Sequence, residues 1–126
     1  MELAEIGKNI LTNCMNVKPG ENVLIVTDDE KYAIGQALYQ AAKLLKAEAM
    51  LMTMTAREVS GQEPPAVVAA AMKAADVVIC PMKTSITHTR AKIEAAEAGA
   101  RIATMPGITE EMFAGMFRFI IIGSIR

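Results

Sequence analysis

The chain is poor in the residues that most often carry chemistry. Among 126 residues there is one histidine, there are two cysteines and there is no tryptophan, and aromatic residues make up only 4%. One His with the distant Cys14 and Cys80 cannot close a zinc site, and no His-Glu-x-x-His pair or nucleophile elbow is present. Glycines are missing where a dinucleotide fingerprint needs them: the first strand is followed by TDDEKYAIG, with negative charge where a pyrophosphate would sit. Charge of one sign is missing too. With 13 Lys and Arg against 14 Asp and Glu, no whole-molecule field gathers phosphate backbones, so no nucleic-acid partner is expected. No apolar run reaches the length of a membrane span, and the N-terminal MELAEIGKNIL is acidic where a signal peptide would be basic. No membrane partner is expected, and two thiols without CxxC spacing suit a reducing, cytoplasmic compartment.

What is present is apolar mass built from Ala and ten Met, 52% hydrophobic in all, the texture of helices lying close on a sheet. Glu2 to Met15 has apolar residues at three- and four-residue steps and predicts a helix, stopped by Lys18-Pro19-Gly20. NVLIV from Asn22 predicts a strand covered on both faces. A helix from about Glu30 to Lys46 follows, N-capped by Thr27, Asp28 or Asp29. EAMLMTMT (Glu48 to Thr55) and Asp76 to Cys80 predict the second and third strands, separated by a polar loop and a helix from Ala66 to Ala75. A helix from about Ile86 to Ala98, a strand from Arg101 to Thr104 and a short helix capped by Thr109 complete the pattern.

Strand and helix alternate throughout, which predicts an α/β fold: a three-layer, Rossmann-like, mostly parallel sheet of four or five strands with helices on both faces. Strand order 2-1-3-4 is expected, with 3-2-1-4 satisfying the same pattern. Residues 1–116 form this domain; residues 117–126, FRFIIIGSIR, are expected as an apolar tail or edge strand that completes the sheet or joins a homodimer.

The organising stretch is Asp76 to Phe113, two strands each followed by a loop of turn and capping residues. Such loops open on the sheet edge where ligands collect. The candidate ligand-binding residues are therefore Asp28, Ser85, Thr87, His88 and Thr109, at the ends of the first, third and fourth strands. For His88, in SITHTR, a general base or anion pocket stands against an exposed residue beside a helix cap. The acidic run Asp28-Asp29-Glu30 resembles a receiver domain's metal site, but the acceptor position at the third strand's end holds Cys80 and Pro81, so helix capping is the better reading. Cys80 reads as core, and no residue presents itself as catalytic or as a metal ligand.

VKPGENVLIVTD and ADVVICPMKTSITHTRAKIEAAEAGARIATMPGITEEMF are similar to the N-terminal domain of the metal-dependent aminopeptidase family, of the aminopeptidase T or leucyl aminopeptidase type. The resemblance implies a cytoplasmic, dimeric hydrolase that removes N-terminal amino acids of a peptide substrate with two bridged divalent metals, Zn²⁺ or Co²⁺. It places the metal ligands in a larger C-terminal catalytic domain that this chain does not contain, so no catalytic residue, metal or cofactor is carried over. The implied protein is a truncated N-terminal domain, silent alone. Two rivals are a stand-alone module that binds a small anion or other ligand, and a structural or oligomerisation domain.

Overall fold

The computed structural model describes residues 3–116. The element order is α1 (Leu3–Asn13), β1 (Asn22–Asp28), α2 (Tyr32–Leu44), β2 (Glu48–Met54), α3 (Ala66–Ala74), β3 (Val77–Met82), α4 (Arg90–Glu97) and β4 (Arg101–Pro106), after which residues 110–116 are helical (α5). The four strands form one parallel sheet in the order β2-β1-β3-β4, as expected. The fifth strand or dimerising tail expected over 117–126 lies outside the described residues.

Period-two alternation assigns each strand residue to one of two cores. Val23, Ile25, Val77, Ile79 and Met105 face α1, α2 and α5, where they meet Ile6, Ile10, Leu38 and Phe113. Leu24, Val26, Val78, Cys80 and Met82 face α3 and α4, against Val68, Met72, Ala91 and Ala95. Burial of each large aliphatic side chain here is worth about 1.5–3 kcal/mol, so the two layers together supply the main driving force. At the amino edge of the sheet Arg101 fastens the layers. It donates from Nε to the Met15 carbonyl at 3.1 Å and from Nη2 to Glu21 Oε1 at 2.6 Å. That bond holds the Glu21 carboxyl below its ordinary range and raises the guanidinium.

Several boundaries differ from expectation: β1 runs on to Asp28 rather than ending at Val26, β4 runs on to Pro106 rather than ending at Thr104, and three more lie at Pro81 and at the starts of α4 and α2. β3 continues through Pro81 to Met82 rather than ending at Cys80. Proline is tolerated because β1 and β3 pair only over Val23–Ile25 and Val77–Ile79; the Pro81 carbonyl, and with it the missing N–H, faces the gap beyond. The helix expected from Ile86 starts at Arg90, since Thr89 is its N-cap and accepts from Lys92 N at 3.2 Å. The helix expected from Glu30 starts at Tyr32 with Lys31 in the cap position and no side-chain cap, because Asp28 is used for the turn before it.

α2 reaches the end of β1 only because residue 35 is glycine. A Cβ there would sit 2.7 Å from Thr27 Cβ and Cγ2, well inside contact distance. Gly35→Ala is expected to lower stability by about 1–3 kcal/mol through overpacking. Gly115→Ala, in α5 with open space around it, is expected to be neutral or stabilising by up to about 1 kcal/mol. Urea unfolding of the two variants checks the contrast, and equal effects would mean that α2 has room to move.

Candidate functional site

In strand order 2-1-3-4 the chain reverses its direction of sheet growth between β1 and β3, so the crevice at their carboxyl ends is where a ligand is looked for. Two side chains of β1 close this crevice. Thr27 Oγ1 donates to the Pro81 carbonyl at 2.7 Å. Asp28, fully buried, accepts from Glu30 N and Lys31 N on Oδ1, each at 3.0 Å, and from Lys83 N on Oδ2 at 2.7 Å. Charge-assisted bonds from three backbone donors stabilise a buried carboxylate at a depth where an unpaired one would be excluded. The candidate Asp28 is thus engaged with its own loops. It fills the place of an anion rather than offering itself to a ligand.

Ser85 and Thr87 lie in the β3–α4 loop, where Ser85 Oγ donates to Thr87 Oγ1 at 2.9 Å and accepts from Thr87 N at 3.1 Å. Thr87 Oγ1 lies 3.0 Å from Thr104 Oγ1, which carries the hydroxyl chain to β4. His88 is exposed in the turn before α4 and Thr89 is buried, with Oγ1 donating to the Ile86 carbonyl at 2.6 Å. The N-terminus of α4, which would have been the anion pocket of SITHTR, is occupied. Glu63 reaches it from the loop after β2 and accepts from Arg90 N at 2.7 Å and from Ala91 N at 3.1 Å. The same loop is tied down again where Gly61 N donates to the Ser85 carbonyl at 2.9 Å and Ser85 N to Ser60 Oγ at 3.2 Å.

Thr109 is the remaining candidate. Its Oγ1 accepts from Met112 N at 3.1 Å, capping α5 as expected, and it lines a pocket of about 230 Å³ between α2 and α5. Ile34 and Ile108 give this pocket an apolar floor, while Glu30, Lys31, Thr109 and Glu110 form its polar rim. Glu30 also faces Lys83, with Nζ 3.4 Å from Oε2, across an exposed gap where such a pair contributes little. The structure therefore separates the five candidates: Asp28 is sealed in the crevice, Ser85 and Thr87 form a hydroxyl chain, His88 stands outside it, and Thr109 lies at the pocket. Sequence reasoning missed Glu63 and Glu110. Only Glu110 carried a local signal, as the acidic residue following a helix-capping threonine.

Among the described residues no group of three or more His, Cys, Asp or Glu side chains comes together to hold a metal. No described helix is long and apolar enough to cross a membrane. Both cysteines are free thiols, Cys14 exposed and Cys80 buried, and burial pushes the Cys80 thiol up to about 12.

No family model matches the chain, and no curated protein matches it. Among solved structures it is similar to a 2,5-dihydroxypyridine dioxygenase from Pseudomonas putida KT2440, with 18% identity and a TM-score of 0.68 over 82% of this chain. The chain spans 33% of the length of that protein, and the likeness is one of fold. These findings correct the expected membership of the aminopeptidase family: no family model supports it, and the solved structure to which the chain is similar is named as a dioxygenase, not an aminopeptidase. The segments that suggested it are turn and cap chemistry. Glu21 Oε1 accepts from Lys18 N across the KPGE turn at 2.9 Å, and Thr89 and Thr109 cap helices, as a parallel α/β sheet of any function requires.

Two outcomes follow from this geometry. Asp28→Ala strands three backbone donors in the β1–β3 crevice and is expected to cost about 3 kcal/mol or more in urea unfolding, with Asp28→Asn recovering part of the loss. In the folded protein a thiol reagent is expected to label Cys14 alone, because the thiolate is the reactive form and Cys80 is held protonated. Labelling of Cys80 without urea would show that the α3–α4 face opens on its own.

Proposed function

We propose that this chain is a non-catalytic small-ligand-binding α/β module, working at the carboxyl edge of its sheet. The observation that supports this reading is the pocket between α2 and α5, the place where the loops after β1 and β4 converge on an apolar floor with a polar rim. Its size, about 230 Å³, lies below the span usual for drug-sized ligands, so the occupant is a molecule of few heavy atoms. The rim sets its sign. With Glu30 paired to Lys83, Glu110 is the rim carboxylate that would favour a ligand carrying an amine or another positive group, with a short apolar portion over Ile34 and Ile108.

A small anion is the weaker occupant. The backbone donors that would hold one, after β1 and at the start of α4, are taken by Asp28 and Glu63. A cytoplasmic setting goes with this reading, supported by two uncrosslinked thiols, one of them exposed.

A melting screen of the whole chain with small primary amines, amino acids, phosphate and sulfate tests the proposal. An amine or amino acid is expected to raise the melting temperature, with the rise lost in Glu110→Gln. Stabilisation by phosphate instead, abolished by changes at Thr87 or His88, would overturn the pocket in favour of the β3–α4 loop. No response to any member of the panel at millimolar concentration would overturn the binding reading itself.

A further inference from the structure

The two ends of the sheet are finished differently. β4, at one end, begins with Arg101, held by Glu21, and closes with Pro106, and both residues are features that blunt a strand edge. β2, at the other end, pairs with β1 in unbroken register from Glu48 to Met54 and has no partner among the described residues on its outer side. Its sequence, EAMLMTM, contains no proline and no lysine, and Glu48 at its start is the only charge. A seven-residue, largely apolar strand, bonded to β1 on its inner side and without a strand partner among the described residues on its outer side, is a template for another strand.

The surface beside this edge is apolar as well. α2 covers β2 on one side of the sheet; on the other, Met54 is buried and Met52 is packed partly against the α3–α4 core, and Met50 is left uncovered. A hollow of about 620 Å³ runs over the edge between Tyr39, Met50, Met52 and Ala71, and a second of about 290 Å³ adjoins it at Leu24, Met50 and Ala75. Met50 is 40% exposed there, and Val67 on α3 is 72% exposed.

We propose that this edge pairs with the same edge of a second copy, β2 against β2 in antiparallel sense, to give a continuous eight-stranded sheet across a two-fold axis near Leu51 and Met52. The charge pattern suits this occupant, because each flank of the strand carries one cation and one anion and a copy therefore meets no flank of single sign. Lys46 and Glu48 lie at one end of the strand and Arg57 and Glu58 just beyond the other. Antiparallel self-pairing sets each end beside the opposite end of the copy, so cation can meet anion on both flanks. The apolar middle, Ala49 to Met52, meets itself without a charge. A two-fold axis normal to the sheet keeps corresponding faces together, so Met50 and Met52 of both copies fill the hollow between two α3 helices. The contact is isologous and closes at two. It is independent of the pocket between α2 and α5, which lies at the carboxyl edge and stays open in the dimer.

Sedimentation of the 126-residue chain over a concentration series tests the proposal, with Met50→Lys and Thr53→Lys as edge variants and a chain ending at Met116 as a third. The expected result is a monomer–dimer equilibrium, weakened about tenfold or more by either lysine, equivalent to at least about 1.4 kcal/mol, while melting of the dilute monomer is unchanged. Two lysine positions guard against one variant failing to fold. A monomer at every concentration would overturn the proposal. So would a dimer indifferent to both lysines but lost on removal of residues 117–126, which would assign the contact to the C-terminal segment.

Discussion

The carboxylate of Asp28 holds the carboxyl edge of the sheet together. β1 and β3 share ladder bonds for only three residues each, and beyond Ile25 and Ile79 the strands part. Side chains take over there. Thr27 spans the gap to the Pro81 carbonyl, and Asp28 gathers N–H groups from both the loop that starts α2 and the loop that leads to α4. The position of α2 then follows from the same two residues, because Gly35 brings that helix down onto Thr27. Pro81 also depends on them: a proline inside a central strand is stable where its neighbour has ceased to need a donor.

This constraint shapes what the edge can bind. In parallel α/β sheets the crevice at the switch point is the usual ligand site, because backbone donors there lack partners. Here the chain supplies its own anions. Asp28 satisfies the donors after β1, and Glu63, brought across from the loop after β2, satisfies those at the start of α4. An external anion would have to displace a carboxylate that is already covalently attached, and attachment gives the internal group the advantage of a high effective concentration. The pocket between α2 and α5 is free of that competition, and its rim carries the opposite preference.

How much of this was legible in the sequence depends on range. The alternation of Val23, Leu24, Ile25 and Val26, or of Val77 to Cys80, reports two-sided burial directly, and the fold class could be read from it together with the alternation of elements, but the choice of order 2-1-3-4 over 3-2-1-4 could not. Thr109 was readable as cap chemistry because a cap acts over three residues, whereas Thr89, the cap of α4, was placed inside a helix expected to start at Ile86. Contacts across the chain were not readable. Nothing in QEPP states that Glu63 meets Arg90 and Ala91, and nothing in TDD states which carboxylate faces Lys83, 55 residues away. The family resemblance failed for a related reason: its segments encode local turns and caps, which many functions share on one fold.

The asymmetry of the two sheet edges carries the remaining inference about how the chain is used. A parallel sheet buried on both faces still has two open sides, and leaving one unprotected costs solubility unless something covers it. At β4 the chain places an arginine, a proline and the helix beginning at residue 110. At β2 it places methionines, which pack against irregular partners at little conformational cost. Met50 is 40% exposed beside α3 and Met52 only partly buried, and their flexibility suits the proposed contact with a copy of themselves. The exposed residues on this side of the sheet thus fit it for the proposed contact, while the Asp28 junction, at the carboxyl ends of β1 and β3, is held by bonds within the chain whether or not that contact is made.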